Sequence, residues 1–192
     1  DNCVASKFDG VNDWLRNSSV TITPNSKIML SFIHKPKTTS TQRILYNGAG
    51  YIHLSSNATG LNLVMNVGGQ EIDVTVALPN IIDTEYSIQI SFDTTVIGSR
   101  HIFVNGLEVT PTWNVWNSGT ISYQTEWTIG ASNIGGLLFN GSIGEMYIDN
   151  SLIDLATSNP FWDSETNKPI PVRKAMANLG SNPLICMPID AS

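Results

Sequence analysis

The sequence predicts an all-β fold of antiparallel strands packed as a sandwich. In residues 100–109, Asn105-Gly106 separates two short alternating runs and supplies the consecutive positive-φ residues of a type I′ hairpin turn. Glycine pairs within residues 46–53 and 65–74 separate runs rich in Val, Ile, Leu and Tyr in the same manner. Hardly any stretch has the hydrophobic period of a helix. These three observations favour hairpins over nearly the whole chain.

Individual strands are predicted from the alternation of apolar and polar residues. Residues 28–35 alternate so that one face is strongly buried, and Pro36 ends the run. Residues 71–78 and 86–93 place Ile and Val opposite polar residues, which is typical of half-solvated antiparallel strands. The other predicted strands are residues 2–8, 18–23, 43–47, 51–55, 61–66, 126–130, 138–149 and 184–189, with an aromatic loop at 112–119.

The chain is expected to form one domain over residues 1–192, since all-β domains of this length commonly stay undivided. Residues 155–182 differ because they contain three prolines and the only predicted helix, Val172–Leu179, which Gly180 ends. We interpret this segment as an ordered excursion over the sandwich surface. The chain starts without an initiator Met and stops without a terminating feature, so we expect a processed protein or a fragment.

The charge and composition of the chain limit the classes of molecule that it is expected to bind. A net charge of −6 argues against nucleic acid and anionic membranes, since both favour clustered Lys and Arg. No uninterrupted apolar stretch approaches the ~20 residues that cross a bilayer, so membrane insertion is not expected. Only 14% of residues are charged, and Ser, Thr and Asn fill the polar positions, a composition common in extracellular or virion proteins.

Two segments resemble a known family. KFDGVNDWL (residues 7–15) and LLFNGSIGEMYIDNSLI (residues 137–153) resemble the opening and closing signatures of laminin-G-like domains of the concanavalin A-like superfamily. The segments between them resemble the family's core strands and hairpin in order: IMLSFIHKP, SIQISFD, IFVNGLEV and WTIGAS. The resemblance covers residues 3–154, although Glu85-Tyr86 stands where the family has Trp-x-His.

The resemblance implies a jelly-roll sandwich of two antiparallel sheets with adjacent N- and C-terminal strands. Residues 161–192 lie outside the family pattern and resemble segments of tailed-phage virion proteins that carry such a domain.

Cys3 and Cys186 lie near the two ends of the chain. In many sandwiches the first and last strands pair, which would bring the thiols within the ~5.5–6 Å Cα spacing of a disulfide. The alternative is two buried free thiols in neighbouring strands, since a phage protein assembled in a reducing cytoplasm need not form the bond.

Calcium is the one cofactor that the resemblance suggests, because members often hold one Ca²⁺ through oxygen ligands. The turn Asp9–Asp13 offers Asp9, Asn12 and Asp13, and we expect Glu145 nearby. The alternative is that Asp9 and Asp13 accept hydrogen bonds from turn amides and that Glu145 braces this turn.

Glycan contact is predicted at the aromatic loop. Sugars stack on aromatic rings while amides bond their hydroxyl groups, and Trp113, Asn114, Trp116 and Asn117 offer both features. The alternative is that Trp113 and Trp116 close one end of the sandwich core.

Catalysis is not expected. Glycan hydrolases of the superfamily need several carboxylates on alternate positions of one strand face. Glu71 and Asp73 begin such a pattern, but Thr75 and Ala77 follow. Neither a dinucleotide loop nor a nucleophile elbow occurs, and the histidines lack metal-ligand spacing.

We therefore predict a non-catalytic module that binds carbohydrate or attaches to a host cell-surface receptor, carried on a phage virion or extracellular protein. The alternative is a structural or decoration domain that contacts neighbouring virion subunits and binds no sugar. Either function is compatible with a homo-oligomer, although the chain contains no coiled-coil heptad.

Overall fold

The structure, a computed structural model, describes residues 6–20, 22–48, 52–78, 82–132, 136–180 and 183–187. These residues form sixteen strands and the helix α1 (Val172–Leu179), which coincides with the predicted helix. In chain order the strands are β1 (Ser6–Asp9), β2 (Leu15–Asn17), β3 (Lys27–Pro36), β4 (Gln42–Asn47), β5 (Ile52–Asn57), β6 (Gly60–Val67), β7 (Gln70–Ala77), β8 (Tyr86–Asp93), β9 (Val96–Val104), β10 (Leu107–Glu108), β11 (Thr112–Val115), β12 (Trp127–Ile129), β13 (Asn140–Asp149), β14 (Trp162–Asp163), β15 (Lys168–Pro169) and β16 (Ile185–Met187). Within the described ranges, no helix has the length and apolar character to traverse a bilayer.

The strands form two large antiparallel sheets, which confirms the predicted all-β sandwich. The first sheet has the order β1-β13-β3-β8-β9-β10, and β16 also pairs with β13. The second sheet has the order β11-β7-β6-β5-β4-β12-β2. Strands β14 and β15 form a separate small hairpin.

The core lies between the two sheets and is built by alternation. In β7, Ile72, Val74 and Val76 are buried in it while Glu71 and Asp73 lie on the other face. The same alternation holds in β6, so the second sheet directs one apolar face inward and one mixed polar face outward.

The central strands of the first sheet, β3 and β8, are instead buried on both faces. Residues 155–179 run across its outer face and form a second apolar cluster there, in which the rings of Tyr147 and Phe161 lie 4.9 Å apart. The prediction that β8 is half-solvated is wrong for this reason. Ser91 Oγ donates to the Ile153 carbonyl at 2.6 Å, and Gln89 accepts from Asn159 at 3.3 Å, so the covering segment buries these polar residues.

The predicted Asn105-Gly106 turn is present between β9 and β10, with φ of 49° and 76° at its two residues. Asn105 Oδ1 also accepts from the Ser87 amide at 2.8 Å, which fixes the turn to β8. A Cβ at Gly106 would collide with the ring of Trp162. Gly106 is therefore required both by its φ and by the covering segment packed on it.

Two predicted elements differ from the structure. The strand predicted at residues 18–23 is not formed by the described residues, because Asn17 Oδ1 accepts from the Ser19 amide at 3.0 Å and turns the chain after β2. The predicted aromatic loop contains the edge strand β11, which pairs with β7 through a register shift between Trp113 and Val115.

The strands nearest the two chain ends are neighbours. β1 pairs with the first residues of β13, and β16 pairs with Met146–Ile148 further along it. Cys186 lies in β16, where its Sγ donates to Met176 Sδ at 3.2 Å and burial raises the pKa of the thiol. Cys3 lies outside the described residues, so its pairing with Cys186 stays a prediction.

Candidate functional site on the outer face of the second sheet

The outer face of the second sheet carries a row of polar and aromatic side chains. Strand register aligns one residue from each of six neighbouring strands: Arg16, Thr128, Tyr46, His53, Val64 and Asp73. Such a row crosses the strands at right angles, with neighbouring side chains about 5 Å apart. It offers a planar arrangement of donors, acceptors and one phenol ring.

A second row lies beside the first, two residues away along β5, β6 and β7 and three residues away along β4, where the register shifts. Its members are Arg43, Ser55, Asn62, Thr75 and Thr112. Hydrogen bonds connect the side chains along and between the rows: Arg43 Nη1 donates to Ser55 Oγ at 3.1 Å, and Asn62 Nδ2 donates to Asp73 Oδ1 at 2.7 Å. We call these two rows the polar face.

The electrostatics of the polar face keep His53 neutral. Burial, and to a lesser extent the positive charge of Arg43, lower the pKa of His53 to about 4, although Asp73 opposes the shift. Burial also lowers the pKa of Arg43. At neutral pH the imidazole therefore has one donor and one acceptor nitrogen, as recognition of an uncharged hydroxyl group requires.

Two buried polar atoms on the polar face have no hydrogen-bond partner within the described part of the chain. They are Arg43 Nε and Thr128 Oγ1. Both atoms are buried, and a buried polar atom without a partner lowers the stability of the folded chain.

The structure separates the four residues of the predicted glycan loop. Trp113 and Trp116 are half-buried against the core, with their rings 4.9 Å apart and both edge-on to Phe92. The guanidinium carbon of Arg100 lies 4.9 Å from the Trp113 ring and 4.6 Å from the Trp116 ring. The pair therefore closes the edge between β9 and β11, and ring surface is occupied by Phe92 and Arg100.

The two asparagines of that loop have different positions. Asn114 lies on the exposed side of β11 and its Nδ2 donates to Thr75 Oγ1 at 3.0 Å, which adds it to the polar face. Asn117 donates to the Glu71 carbonyl at 2.5 Å and fixes the loop after β11.

The candidate calcium ligands of the Asp9 turn are engaged in the turn itself. Asp9 Oδ1 accepts from the amides of Val11 at 2.8 Å and Asn12 at 3.3 Å, and these bonds lower the pKa of Asp9. Asp13 Oδ2 accepts from the Asp9 amide at 3.1 Å.

Glu145 lies away from this turn. It is buried, and its Oε2 accepts from the amide of Val172 at the start of α1, at 2.5 Å. Asp9 instead faces Asn140, five residues earlier in β13. Glu145 is therefore separated from Asp9, Asn12 and Asp13, and among the described residues no group of three or more His, Cys, Asp or Glu could hold a metal ion.

Sequence reasoning did not identify Arg43, Tyr46, His53 and Asn62 as residues of the candidate site. Only the alternation in β7 indicated a polar face, and it did not show which residues of other strands share that face. The three consecutive hairpins of β4 to β7, each with its own register, determine this set.

Comparison with known proteins establishes the fold. No family model matches the sequence, and no curated protein matches it. The native heptameric SAP-like pentraxin from Limulus polyphemus is similar in structure, with a TM-score of 0.57, 16% identity, and coverage of 77% of this chain and 76% of that one. Domain 4 of a GH43 extracellular arabinanase from Geobacillus stearothermophilus, solved with arabinotriose, has a TM-score of 0.56 at 17% identity, covering 79% and 73%.

Domains LG4-5 of the mouse laminin alpha1 chain have a TM-score of 0.55 at 13% identity, covering 77% of this chain and 42% of that one. At these identities the similarity is one of fold. The fold of this chain is a two-sheet antiparallel sandwich of the concanavalin A-like type.

Proposed function

We propose that this domain is a non-catalytic carbohydrate-binding module and that it binds glycan on the polar face. The observation that carries the proposal is the two-row arrangement of neutral and charged hydrogen-bonding groups around Tyr46. Solved proteins of the same fold include a domain described as bound to arabinotriose, which supports a sugar as the ligand.

The chemistry of the polar face suits a sugar ring. A sugar has an apolar face, which stacks on an aromatic ring, and hydroxyl groups that need both donors and acceptors. Tyr46 supplies the ring, Asn62 and Asp73 supply an amide and a carboxylate, and neutral His53 supplies one donor and one acceptor. The first row crosses six strands, so an extended chain of sugars would gain the most contacts.

Trp113 and Trp116 are the alternative location for the same function. Their partial exposure leaves room for an edge contact with sugar, although Arg100 would have to move before a sugar could stack on the surface that it covers. The two locations are distinguished by separate substitutions.

The test is a glycan array followed by titration of any hit. We expect Tyr46→Ala to weaken binding at least tenfold, about 1.4 kcal/mol, while Trp113→Ala and Trp116→Ala change it less than threefold. Trp162→Ala, on the opposite side of the sandwich, is the matched aromatic control, and melting temperatures confirm folding. Loss of the hit only in the Trp113 and Trp116 variants would move the site to the aromatic loop.

A structural or decoration domain is the second candidate function. The first sheet's edge exposes Ile97 and Leu107, with 64% and 73% of their surfaces accessible, and such residues favour contact with a neighbouring subunit. A silent glycan array, together with a discrete oligomer by light scattering that Ile97→Asp disrupts, would support this function. The setting that we propose for either function is an extracellular protein or a phage virion.

Calcium binding by Asp9, Asn12 and Asp13 remains a separate proposal, and the engagement of both carboxylates in the turn makes the fit poor. A rise in melting temperature with millimolar Ca²⁺ that Asp13→Asn removes would support it. An unchanged melting temperature would indicate that these residues stabilise the turn and do not bind Ca²⁺.

A further inference from the structure

Three lysines converge on one pocket of the first sheet, at the end of its outer face away from α1. Lys7, Lys35 and Lys37 line a cleft of about 270 Å³ together with Ser142 and Asp83. They are three of the ten Lys and Arg residues in a chain whose net charge is −6. We call this cleft the lysine pocket.

Strand register explains the convergence. Lys7 of β1 faces Ser142 of β13, and Ser142 faces Lys35 of β3, so the three residues form one row on the same face. Two strand spacings place the lysine backbones about 10 Å apart, with the serine hydroxyl between them. Lys37 follows Lys35 by two residues, and its amide donates to the Asn140 carbonyl at 2.9 Å, which holds it beside β13.

Gly141 of β13 also lines the pocket. Gly141 is buried in β13 with φ of 146°, and a Cβ there would collide with the Lys35 carbonyl oxygen. A side chain at this position is therefore excluded by the backbone of the neighbouring strand and by Phe139.

None of the three ammonium groups is neutralised by an ion pair within the described ranges. The salt bridges found there join Arg16 to Glu126 and His101 to Glu108 and Asp154. Asp83 lines the pocket without forming a salt bridge to any of the three, so the pocket keeps an excess of two positive charges. Like charges held together repel one another unless an anion lies between them.

We propose that the lysine pocket binds a compact anionic group, such as a sulfate or phosphate ester or a sugar carboxylate. The three ammonium groups would supply charge-assisted hydrogen bonds, and the Ser142 hydroxyl would supply a fourth contact. The pocket volume suits one such group with the ring that carries it. This site lies on the opposite sheet from the polar face and does not depend on the proposed function.

The experiment titrates the protein with inorganic sulfate, inorganic phosphate and glucuronate at low salt, following backbone amide shifts by NMR. We expect saturable shifts at Gly141 and Ser142. The double variant Lys7→Gln/Lys35→Gln should weaken binding at least tenfold. The control Lys27→Gln/Lys168→Gln makes the same change in charge with exposed lysines outside the pocket, and it should weaken binding less than twofold.

The outcomes are distinct. Saturation by sulfate or phosphate alone supports an ester as the ligand group, and saturation by glucuronate alone supports a carboxylate. Equal weakening in both double variants, or shifts that never saturate, would overturn the proposal, because either result indicates a general charge effect. Tyr46→Ala should keep full anion binding, so failure of the glycan proposal and failure of this one are separable. Thermal melting of each variant confirms that it is folded.

Discussion

The two sheets of this sandwich share one core but differ in what lies on their outer faces. The outer face of the first sheet has apolar side chains such as Met29 and Tyr147, both fully buried beneath residues 155–179. The outer face of the second sheet instead has Tyr46, His53 and Asp73, and no described segment forms an apolar cluster over it.

The difference arises because residues 155–179 cover the outer face of the first sheet only. An apolar row on a sheet must be covered, and here the chain itself supplies the cover. A row of hydrogen-bonding groups does not need such a cover, because water or a ligand can satisfy its donors and acceptors. Residues 155–179 therefore cover the apolar part of one sheet, while the outer face of the other sheet and the lysine pocket of the first stay available for the binding that we propose there.

The largest expected effect is the loss of that cover. Phe161→Ala removes a ring that is 1% exposed and packed on Tyr147, so we expect the free energy of unfolding to fall by about 3–5 kcal/mol. Urea unfolding measures this. Trp162→Ala, at the half-buried neighbouring position, should cost clearly less, and a loss below about 1 kcal/mol for Phe161→Ala would show that the segment is a loose appendage.

The fold was largely predictable because most of its strands show a local alternation of apolar and polar residues. Strand β8 and helix α1 were predicted with their observed bounds, and the Asn105-Gly106 turn was predicted from two residues. Strand β11 was not predicted, because its four residues, TWNV, are too few to establish the alternation of apolar and polar residues that is typical of a strand. Its pairing depends on the edge of β7, which local sequence does not reveal.

The candidate site was much less predictable. Tyr46, His53 and Asp73 are brought into one row only by the registers of three hairpins, and a shift of one residue in any of them would turn a side chain inward. The buried state of Glu145 was likewise hidden, because its partner is the amide of Val172, 27 residues away.

The second prediction compares histidines on the two sheets as pH falls. Burial lowers the pKa of His34 in β3 to about 4, below its ordinary 6.5, so the unfolded chain binds a proton that the folded chain does not. Stability is therefore full above pH 6.5 and decreases as pH falls towards 4, by about 3 kcal/mol for His34.

Urea unfolding at pH 7 and pH 4 measures that loss, and His34→Leu should remove most of it. His53→Gln should remove a smaller share, because His53 is half-exposed and water screens its charge. An identical pH dependence in wild type and His34→Leu would contradict the assignment.

The third prediction concerns the attachment of α1 to the first sheet. Glu145→Gln keeps an acceptor for the Val172 amide but removes the negative charge at the helix N-terminus, so we expect a loss of about 1 kcal/mol. Chemical denaturation measures this loss of stability. Glu165→Gln, at an exposed position, is the matched control, and its change in the free energy of unfolding should be near zero. A gain in stability would show that the cost of burying the charge exceeds its value to the helix.

The smallest effect on the free energy of unfolding is expected on the polar face, where stability and binding can be measured with the same variant. Asn62→Ala removes the bond to Asp73 at 2.7 Å, but water can replace it on an uncovered face, so the free energy of unfolding should fall by only about 0.5 kcal/mol. If the face binds glycan, the same substitution should weaken that binding severalfold, because the Asn62 amide and the fixed orientation of Asp73 are lost together. Denaturation and glycan titration of one variant thus separate a surface built for binding from one built for stability. A stability loss above about 2 kcal/mol with unchanged binding would show that Asn62 belongs to the framework of the second sheet.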